Sequence, residues 1–372
     1  MPRIREVLIC NSRIPLIKPF VISLGPLNEA ENIFVRITDE NGRIGFGECS
    51  PFRTIHGETS ETCIAVGKEL AKILIRESAQ NDGIAHLSHS MDKMIYGNTS
   101  IKSALDIALH DIAAQYAGLP LYSFLGGKSN QLLFTDYTIS VAEPEEMSKA
   151  ALEILRSGYP VIKVKLGGDA DLDVSRIKKI RATVGPEIPI RIDANQAWTP
   201  VEAEAVLNEI KDLGIQHCEE PLRRNSLQEL SELRASSDIP IMADESCFDH
   251  HDALNLVKMN ACDSINIKLG KSSGLFKAAL VRDIAETYNL KIQVGGFLES
   301  RLGFTAAAHF ALSCREIPFI DFDTPLMQSH DPVKGGIIYH EMGRIEIPDD
   351  IGLGARIPDA ELFRMNCTSI SG

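Results

Sequence analysis

The sequence lacks the features that mark several classes of protein. It has no long apolar run of the kind that crosses a bilayer, and basic residues are the minority, with 38 Lys and Arg against 51 Asp and Glu. The resulting net charge of −13 disfavours nucleic acids and anionic membrane surfaces as partners. Because 372 residues exceed one ordinary domain, we expect a globular protein of two domains.

Cysteine pairs and an export signal are also missing. The eight cysteines are scattered without a CxxC motif, and the first residues do not resemble a signal peptide. This pattern is typical of proteins in a reducing compartment. We expect a cytoplasmic protein in which all eight cysteines are free thiols.

Motifs for nucleotide and zinc binding are absent as well. The sequence contains neither a GxxxxGK[ST] phosphate loop nor an HExxH pair of histidines, and it has no GxGxxG motif. Nucleotide binding and zinc chemistry therefore have little support.

The sequence instead repeats a short apolar run that ends in charge. The first clear run, 161–168, carries Lys163 and Lys165 two positions apart, so both side chains would lie on one face of a strand. The next runs end at Asp193, Glu219, Asp244 and Lys268, and the successive spacings, counted from Lys165, are 28, 26, 25 and 24 residues. The spacing from Lys268 to Asp321 is 53 residues, enough for one additional unit between them.

This repeat predicts parallel strands joined by helices. Eight strands favour a closed (β/α)8-type barrel, here modified to a β7α7β-like form because no clear helix follows the last strand. An open doubly wound sheet is the alternative, but its charges would gather at one switch point and not recur on consecutive strands. We place the strands at 134–141, 161–166, 189–194, 215–219, 240–244, 263–268, 291–296 and 317–322.

The first part of the chain predicts a smaller α+β domain. Three alternating segments between 3 and 48, with a DENG hairpin signal at 39–42, indicate an antiparallel sheet, and helical spacing follows at 61–75 and 101–116. Short β-like pieces close the chain. We expect a capping domain over 1–126, a barrel over 127–323 and a tail over 324–372 that packs back on the capping domain.

Three carboxylates at neighbouring strand ends predict a metal site. Asp193, Glu219 and Asp244 end the third, fourth and fifth strands, and barrels of this kind carry their active sites at the carboxyl ends of the strands. Any one of these acids would equally well cap a helix or form a local ion pair. Three together are a hard oxygen site suited to one Mg²⁺ ion.

Two lysines predict the chemistry. Lys165 and Lys268 end strands two and six, half a turn apart, so their amines would approach the centre from opposite sides. Two opposed bases suit a stereocentre, because one removes a proton and the other returns one to the opposite face while the metal holds the enediolate. We expect burial beside Mg²⁺ and the neighbouring Lys163 to lower the pKa of these lysines, and we expect Lys163 to touch the substrate carboxylate. A single lysine would be interpreted as an exposed side chain on a surface strand.

These motifs resemble the enolase superfamily, its muconate-lactonizing subgroup, and within it the dipeptide epimerases similar to L-Ala-D/L-Glu epimerase. A lysine base with Mg²⁺ is a known property of that superfamily. The resemblance implies one Mg²⁺ per subunit and a dipeptide substrate, and we also expect a homo-oligomer. The resemblance spans essentially the whole chain and rests on five motifs: K-x-K at 163–165, D-A-N at 193–195, E-E-P at 219–221, D-E-S at 244–246 and N-I-K at 266–268.

The D-x-D motif formed by Asp321 and Asp323 is what resembles the dipeptide epimerases in particular. Both carboxylates would lie on one face of the last strand, where they suit the free α-ammonium of a dipeptide. The alternative is that they only begin a turn. Substrates of o-succinylbenzoate synthases and muconate-lactonizing enzymes carry no ammonium, and an inactive scaffold would be expected to lack a base or a ligand. The resemblance also implies substrate contacts from Thr138 and from the backbone of Gly296, Phe297 and Leu298 near Glu299.

The loop after the K-P-F motif predicts the substrate side chain. Relatives specific for a carboxyl-terminal glutamate carry an arginine there, whereas this loop has Gly25 near that position and no cation after Lys18. We therefore expect small or hydrophobic Ala-Xaa dipeptides. L-Ala-D/L-Glu epimerisation and N-acylamino acid racemisation are the alternatives. Arg53 or His56 would have to supply a replacement cation, and the residues expected to line an apolar pocket are Ile22, Leu24, Leu27 and Phe297.

Overall fold

The computed structural model describes residues 2–75, 77–78, 83–128 and 132–372. An antiparallel sheet opens the chain, with β1 at Ile4–Ile22, β2 at Gly25–Asp39 and β3 at Ile44–Cys49. The hairpin predicted at 39–42 is present, because the Asp39 carboxylate accepts hydrogen bonds from the backbone N–H groups of Asn41 and Arg43, both at 2.9 Å.

Helices cover one face of this sheet. Two of them confirm the predicted helices, whereas the second and fourth were not expected. Gly47 lets the third helix lie directly on β3, since a Cβ atom there would come 1.9 Å from the Ala104 carbonyl oxygen. The helices are α1 (Ser60–Leu74), α2 (Ile84–Met94), α3 (Thr99–Ala117) and α4 (Leu121–Phe124).

The predicted barrel is present as an eight-stranded parallel sheet. A two-residue strand, β4 (Leu133–Phe134), precedes it and belongs to another sheet. The barrel strands pair in chain order and are β5 (Tyr137–Ile139), β6 (Ile162–Lys165), β7 (Ile190–Asp193), β8 (Ile215–Glu219), β9 (Ile241–Ala243), β10 (Ser264–Lys268), β11 (Lys291–Gly295) and β12 (Phe319–Ile320).

Seven helices follow the first seven barrel strands. No long helix follows β12 in the described chain, which forms a 3₁₀ turn at Thr324–Met327, and this confirms the modified barrel. Two other 3₁₀ turns are found, Lys211–Leu213 and Glu341–Gly343. The crossover helices are α5 (Pro144–Arg156), α6 (Ala170–Val184), α7 (Pro200–Ile210), α8 (Leu227–Ser236), α9 (His250–Met259), α10 (Leu275–Thr287) and α11 (Arg301–Leu312).

The seam between the first and last barrel strands is closed without a regular ladder. The Phe322 N–H donates to the Thr135 hydroxyl at 2.8 Å, and the Thr138 N–H donates to the Asp323 carboxylate at 2.6 Å. The predicted first and last strands, 134–141 and 317–322, are too long, because the regular pairing covers only β5 and β12 and residue 134 belongs to β4 in another sheet.

The tail returns to the capping sheet, as expected. Its elements are β13 (Lys334–Gly335), β14 (Ile338–Tyr339), β15 (Arg344–Glu346), β16 (Ala355–Arg356), α12 (Asp359–Leu362) and β17 (Asn366–Ser371). Strand β17 pairs antiparallel with β1, which places Cys10 opposite Cys367, and the structure joins them in a disulfide. The expectation of eight free thiols is thus wrong for these two, whereas the other six cysteines are free and buried.

None of the helices in the described ranges combines the length and apolarity that crossing a bilayer requires.

Candidate active site

One cavity at the carboxyl ends of the barrel strands gathers the predicted catalytic and substrate residues. Lys165 at the end of β6 and Lys268 at the end of β10 both line it, with three strands between them in the sheet order. The predicted substrate residues Thr138, Gly296, Phe297, Leu298, Asp321 and Asp323 line the same cavity. Capping-domain side chains form its other wall.

Lys163 lies beneath this cavity and not in its wall. Alternation along β6 places it on the same face as Lys165 but one layer deeper, and its side chain is 1% exposed. Its ammonium contacts three carboxylates, those of Asp321 at 2.6 Å, Glu219 at 2.7 Å and Asp193 at 3.4 Å. Lys163 therefore links the D-x-D motif to the carboxylates of the neighbouring strands.

The three carboxylates predicted to bind metal lie on adjacent strands and are all buried. Asp193 and Glu219 are register partners on β7 and β8, and Asp244 directly follows β9. Each acid also contacts an ammonium. Lys165 lies 2.5 Å from an Asp193 oxygen, Lys163 lies 2.7 Å from Glu219, and Lys268 lies 2.7 Å from Asp244.

Neutral donors hold the other oxygens of two of these acids. The Asn195 backbone N–H donates to Asp193 at 2.9 Å, and the Asn266 side-chain amide donates to Glu219 at 2.8 Å. Burial would raise the pKa of Asp193, but the charges of Lys165 and Lys163 outweigh burial and lower that pKa. Burial and the charge of Asp193 would raise the pKa of Glu219, but Lys163 and Lys268 outweigh them and lower it. Both acids are therefore ionised near neutral pH, as Mg²⁺ ligands must be.

The same carboxylates raise the pKa values of two of the lysines. Burial alone would lower the pKa of Lys268, but the nearby Asp244 and Glu219 carboxylates raise it above its usual value. Burial likewise opposes the charged form of Lys163, and the carboxylates of Asp321, Glu219 and Asp193 raise its pKa well above the usual value. The carboxylates surrounding each of these two ammonium groups stabilise its charged form. The lowering of the pKa of the catalytic lysines that we expect beside Mg²⁺ stays a prediction.

A second acidic group lies at the barrel seam. Oxygens of Asp136, Asp321 and Asp323 lie within 4.8 Å of one another, whereas the three predicted metal ligands do not form so close a group among the described residues. Two of the three acids favour protonation: burial and then Asp321 raise the pKa of Asp136 well above its usual value, and the same two causes raise the pKa of Asp323 to about 7. Their partners are cations or N–H groups, including Arg191, which lies 2.6 Å from Asp136.

This seam cluster suits an ammonium better than Mg²⁺. One oxygen each of Asp136 and Asp323 is buried and has no hydrogen-bond partner among the described residues. An ammonium satisfies such oxygens with N–H donors and tolerates a site in which some of the acids are protonated, whereas Mg²⁺ requires ionised ligands. By contrast, Asp193 and Glu219 are held ionised, and together with Asp244 they fit the metal.

The wall over Lys268 is apolar. Residues Phe20, Ile22, Leu27, Phe52, Ile55, Phe297 and Leu298 line the cavity, and the Lys268 ammonium lies 4.8 Å from the centre of the Phe297 ring. Leu24 was expected there, but it points outward at the hairpin turn and is 39% exposed. The Phe297 loop is fixed by Glu299, which accepts the Phe297 N–H at 2.6 Å.

Neither candidate replacement cation stands in this wall. Arg53 is exposed and does not line the cavity. The ring of His56 packs edge-on against Phe297 with 4.4 Å between ring centres, and its Nδ1 atom accepts the Phe52 N–H at 3.0 Å. Burial and then the charge of Lys268 lower the pKa of His56 to about 3, so the ring is neutral at physiological pH.

Sequence reasoning missed two buried charges at the site. Asp136 precedes the first barrel strand and carries no motif. Lys271 follows Lys268 by three positions and contacts Asp244 at 2.5 Å. The sequence could have indicated Lys271, since a second lysine just after a buried strand is as unusual as Lys268 at the end of that strand.

The sequence matches known families over most of its length. Residues 4–126 match the family "Mandelate racemase / muconate lactonizing enzyme, N-terminal domain", and residues 146–361 match "Enolase C-terminal domain-like".

Individual relatives align over nearly the whole chain. A D-Ala-D/L-Ala epimerase of Cytophaga hutchinsonii is 52% identical over 352 residues, 95% of each chain. An L-Ala-D/L-Glu epimerase of Bacillus subtilis is 40% identical over 345 residues, 92% of this chain and 93% of the relative. A crystal structure of a Cytophaga hutchinsonii dipeptide epimerase with Mg and D-Ala-L-Val superposes with a TM-score of 0.97 at 50% identity, covering 99% of this chain and 100% of the other. Together with the barrel and its charged strand ends, these matches place the chain in the mandelate racemase/muconate lactonizing enzyme family of the enolase superfamily.

Proposed function

We propose that this protein is a Mg²⁺-dependent dipeptide epimerase that inverts the α carbon of the carboxyl-terminal residue. One observation carries the proposal: a single cavity is lined by two lysines from strands half a barrel apart and by both aspartates of the D-x-D motif. The lysines supply two bases, and the aspartates supply an ammonium site. The similarity to proteins named dipeptide epimerases supports it.

Lys165 and Lys268 move the proton in this proposal. One enters the reaction as a neutral amine and takes the α proton from one face of the carbon, and the other enters as an ammonium and gives a proton to the opposite face. The reverse reaction exchanges their roles. Lys163 stays charged, because three carboxylates surround it, and adds positive potential beneath the enediolate of the substrate.

Asp193, Glu219 and Asp244 would hold the Mg²⁺ ion. A bound ion would supply positive charge that acidifies the α C–H group of the substrate and opposes the carboxylates that now raise the pKa of Lys268. The fit rests on three buried acids at neighbouring strand ends, two of them with lowered pKa values.

Asp321 and Asp323 would bind the free amino terminus. The unpartnered oxygen of Asp323 is a ready acceptor, and the N–H of Thr138 holds its other oxygen at 2.6 Å. Substrates of N-acylamino acid racemases and o-succinylbenzoate synthases carry no ammonium and would leave this buried oxygen of Asp323 without a donor, at a cost of about 1–3 kcal/mol.

The substrate side chain is proposed to be small or hydrophobic. The cavity wall above Lys268 is apolar, and a glutamate side chain buried there would have no cation partner, since His56 is neutral and Arg53 is exposed. This separates the proposal from L-Ala-D/L-Glu epimerisation, the activity named for the Bacillus subtilis relative.

A dipeptide library in D₂O tests reaction and substrate together. Mass-detected deuterium incorporation is expected for Ala-Ala, Ala-Val, Ala-Leu, Ala-Met and Ala-Phe, weakly for Ala-Glu, and not for N-acetylated forms. Preference for Ala-Glu would refute the apolar pocket. Equal kcat/KM for acetylated and free dipeptides would favour N-acylamino acid racemisation.

Three further expectations are retained as proposals. The division at 1–126, 127–323 and 324–372 is supported by the pairing of β17 with β1. A cytoplasmic location is proposed because six buried cysteines are free thiols, as is typical of a reducing compartment. A homo-oligomer is the third, and light scattering of the purified protein tests it.

A further inference from the structure

A third lysine at the site has no part in the proton transfer described above. Lys271 is 1% exposed, and its ammonium has three oxygen partners. These are a carboxylate oxygen of Asp244 at 2.5 Å, the Asp244 backbone carbonyl, and the Asn266 backbone carbonyl at 2.9 Å. An ammonium has three N–H donors, so all are engaged and none is left for substrate.

The chain after β10 folds back to place this ammonium. The N–H groups of Lys271 and Ser272 both donate to the Lys268 carbonyl, at 3.0 and 3.2 Å, and Ser273 adopts a positive φ of 60°. The tight turn brings Lys271 to one side of Asp244 while Lys268, three residues earlier, lies on the other.

Asp244 is consequently divided between two lysines. The ammonium of Lys271 contacts its Oδ1 atom, and the ammonium of Lys268 lies 2.7 Å from its Oδ2 atom. Its backbone is fixed as well, since its N–H donates to Glu220 at 2.6 Å and its carbonyl accepts from Lys271. Oδ2 is thus the carboxylate oxygen whose lysine partner lines the cavity.

We propose that Lys271 is a positioning residue: it holds Oδ1 of Asp244, so that Oδ2 would be the oxygen available to a Mg²⁺ ion and Lys268 would then be free for the substrate. The inference rests on the proposed function. It predicts that Lys271 acts on metal affinity and turnover through Asp244, and not by touching the dipeptide. Groups that orient metal ligands typically contribute about 10–100-fold in metal affinity.

The test is Mg²⁺ titration of the whole protein by calorimetry, without substrate, for wild type and Lys271→Met. Methionine keeps an unbranched side chain of similar length but no donors. We expect Mg²⁺ affinity to fall at least about tenfold, kcat to fall with it, and the KM of the dipeptide at saturating Mg²⁺ to change less than about twofold.

Lys102→Met is the matched control. Lys102 is also buried, at 2% exposed, and also binds one carboxylate (Asp92, 3.0 Å) and one backbone carbonyl (Ile95, 2.7 Å), but it lies in the capping domain. This variant is expected to lose thermal stability while its Mg²⁺ affinity stays that of wild type. Equal loss of affinity in both variants would reduce Lys271 to a structural role.

Lys271→Arg covers the case in which the methionine variant does not fold. Arginine keeps the charge and donors, so metal affinity between that of wild type and a tenfold loss is expected. Unchanged Mg²⁺ affinity in a folded Lys271→Met protein, or a Lys271→Arg affinity more than a hundredfold below wild type, would overturn the inference. Wild-type protein that binds no Mg²⁺ would instead refute the proposed function.

Discussion

Lys165 and Asp193 are register partners on neighbouring strands, and their side chains meet at 2.5 Å. A proposed base and a proposed metal ligand thus share one contact. Any cation that takes this Asp193 oxygen therefore competes with the Lys165 ammonium for it. Lys268 and Asp244 repeat the relationship at 2.7 Å on the other side of the barrel.

Removing either base should stop epimerisation. In Lys165→Ala or Lys268→Ala one face of the α carbon has no proton donor or acceptor, and a loss of roughly 10²–10⁴-fold is expected for each. In D₂O, each variant should retain at most exchange of a single epimer, and the two variants should differ in which one. Lys258→Ala, at an exposed position of α9, is the control. Normal epimerisation by both barrel variants would rule out the two-base mechanism.

Removing the charge of Asp244 should weaken metal binding. Asp244→Asn keeps the shape of the side chain but leaves two ammoniums beside a neutral amide, so Mg²⁺ affinity should fall and turnover should be lost. Calorimetry without substrate measures the first and a racemisation assay the second. Asp238→Asn, on the exposed surface before β9, should behave like wild type. The assignment fails if both variants bind Mg²⁺ equally well.

Substrate affinity should depend on pH through Asp323. The pKa of this group is raised to about 7, so the carboxyl is mostly neutral at lower pH and attracts the substrate ammonium weakly. The KM of a dipeptide is expected to fall as the pH rises through about 7, until the substrate amine loses its own proton near pH 8. Asp323→Asn should raise KM and remove the dependence below pH 7. A wild-type KM that stays constant from about pH 6 to 7.5 would contradict this.

Docking of the capping domain on the barrel should weaken as the pH rises from about 4.5 to about 8. Glu48 on β3 accepts hydrogen bonds from Ser300 and Gly303 at the start of α11, each at 2.7 Å. Burial raises the pKa of Glu48 to about 8, against 4.5 ordinarily. The folded state therefore binds the extra proton between these values, and linkage requires that stability fall as pH rises from about 4.5 to about 8.

Glu48→Gln isolates this effect, because glutamine does not titrate. The difference in Tm between wild type and variant should move in favour of the variant as the pH increases from about 5 to 8.5. Melting curves at several pH values measure it. A difference that is constant, or that moves the other way, would show that Glu48 keeps its ordinary pKa.

The barrel and its charged strand ends were predictable because the information is local. Alternation along a strand puts Lys163 and Lys165 on one face, and the spacing of the repeat puts Asp193, Glu219 and Asp244 at one edge. The side of the hairpin turn on which Leu24 lies is not local, since it depends on how the capping domain meets the barrel. Asp136 and Lys271 likewise acquire meaning only from their partners across the barrel or the following turn.

The pKa of Lys268 and the disulfide between the two ends of the chain also depend on contacts between residues that are distant in sequence. The pKa of Lys268 depends on the distance between its ammonium and Asp244, which follows another strand. The direction of the shift in this pKa could therefore not be deduced from motifs. Cys10 and Cys367 face each other only because the last strand pairs with the first, across 357 residues of sequence. The composition gave no signal for that contact.

The pairing of β17 with β1 also bears on how the protein is made. A ribosome releases β1 long before β17, so the outer edge of β1 stays unpaired while the residues between the two strands are made. An unpaired strand edge is a template for association with other chains, and contacts this distant in sequence form slowly. A nascent or prematurely terminated chain that lacks 366–371 would present this edge to chaperones and to other nascent copies, whereas the completed chain covers it with its own last strand.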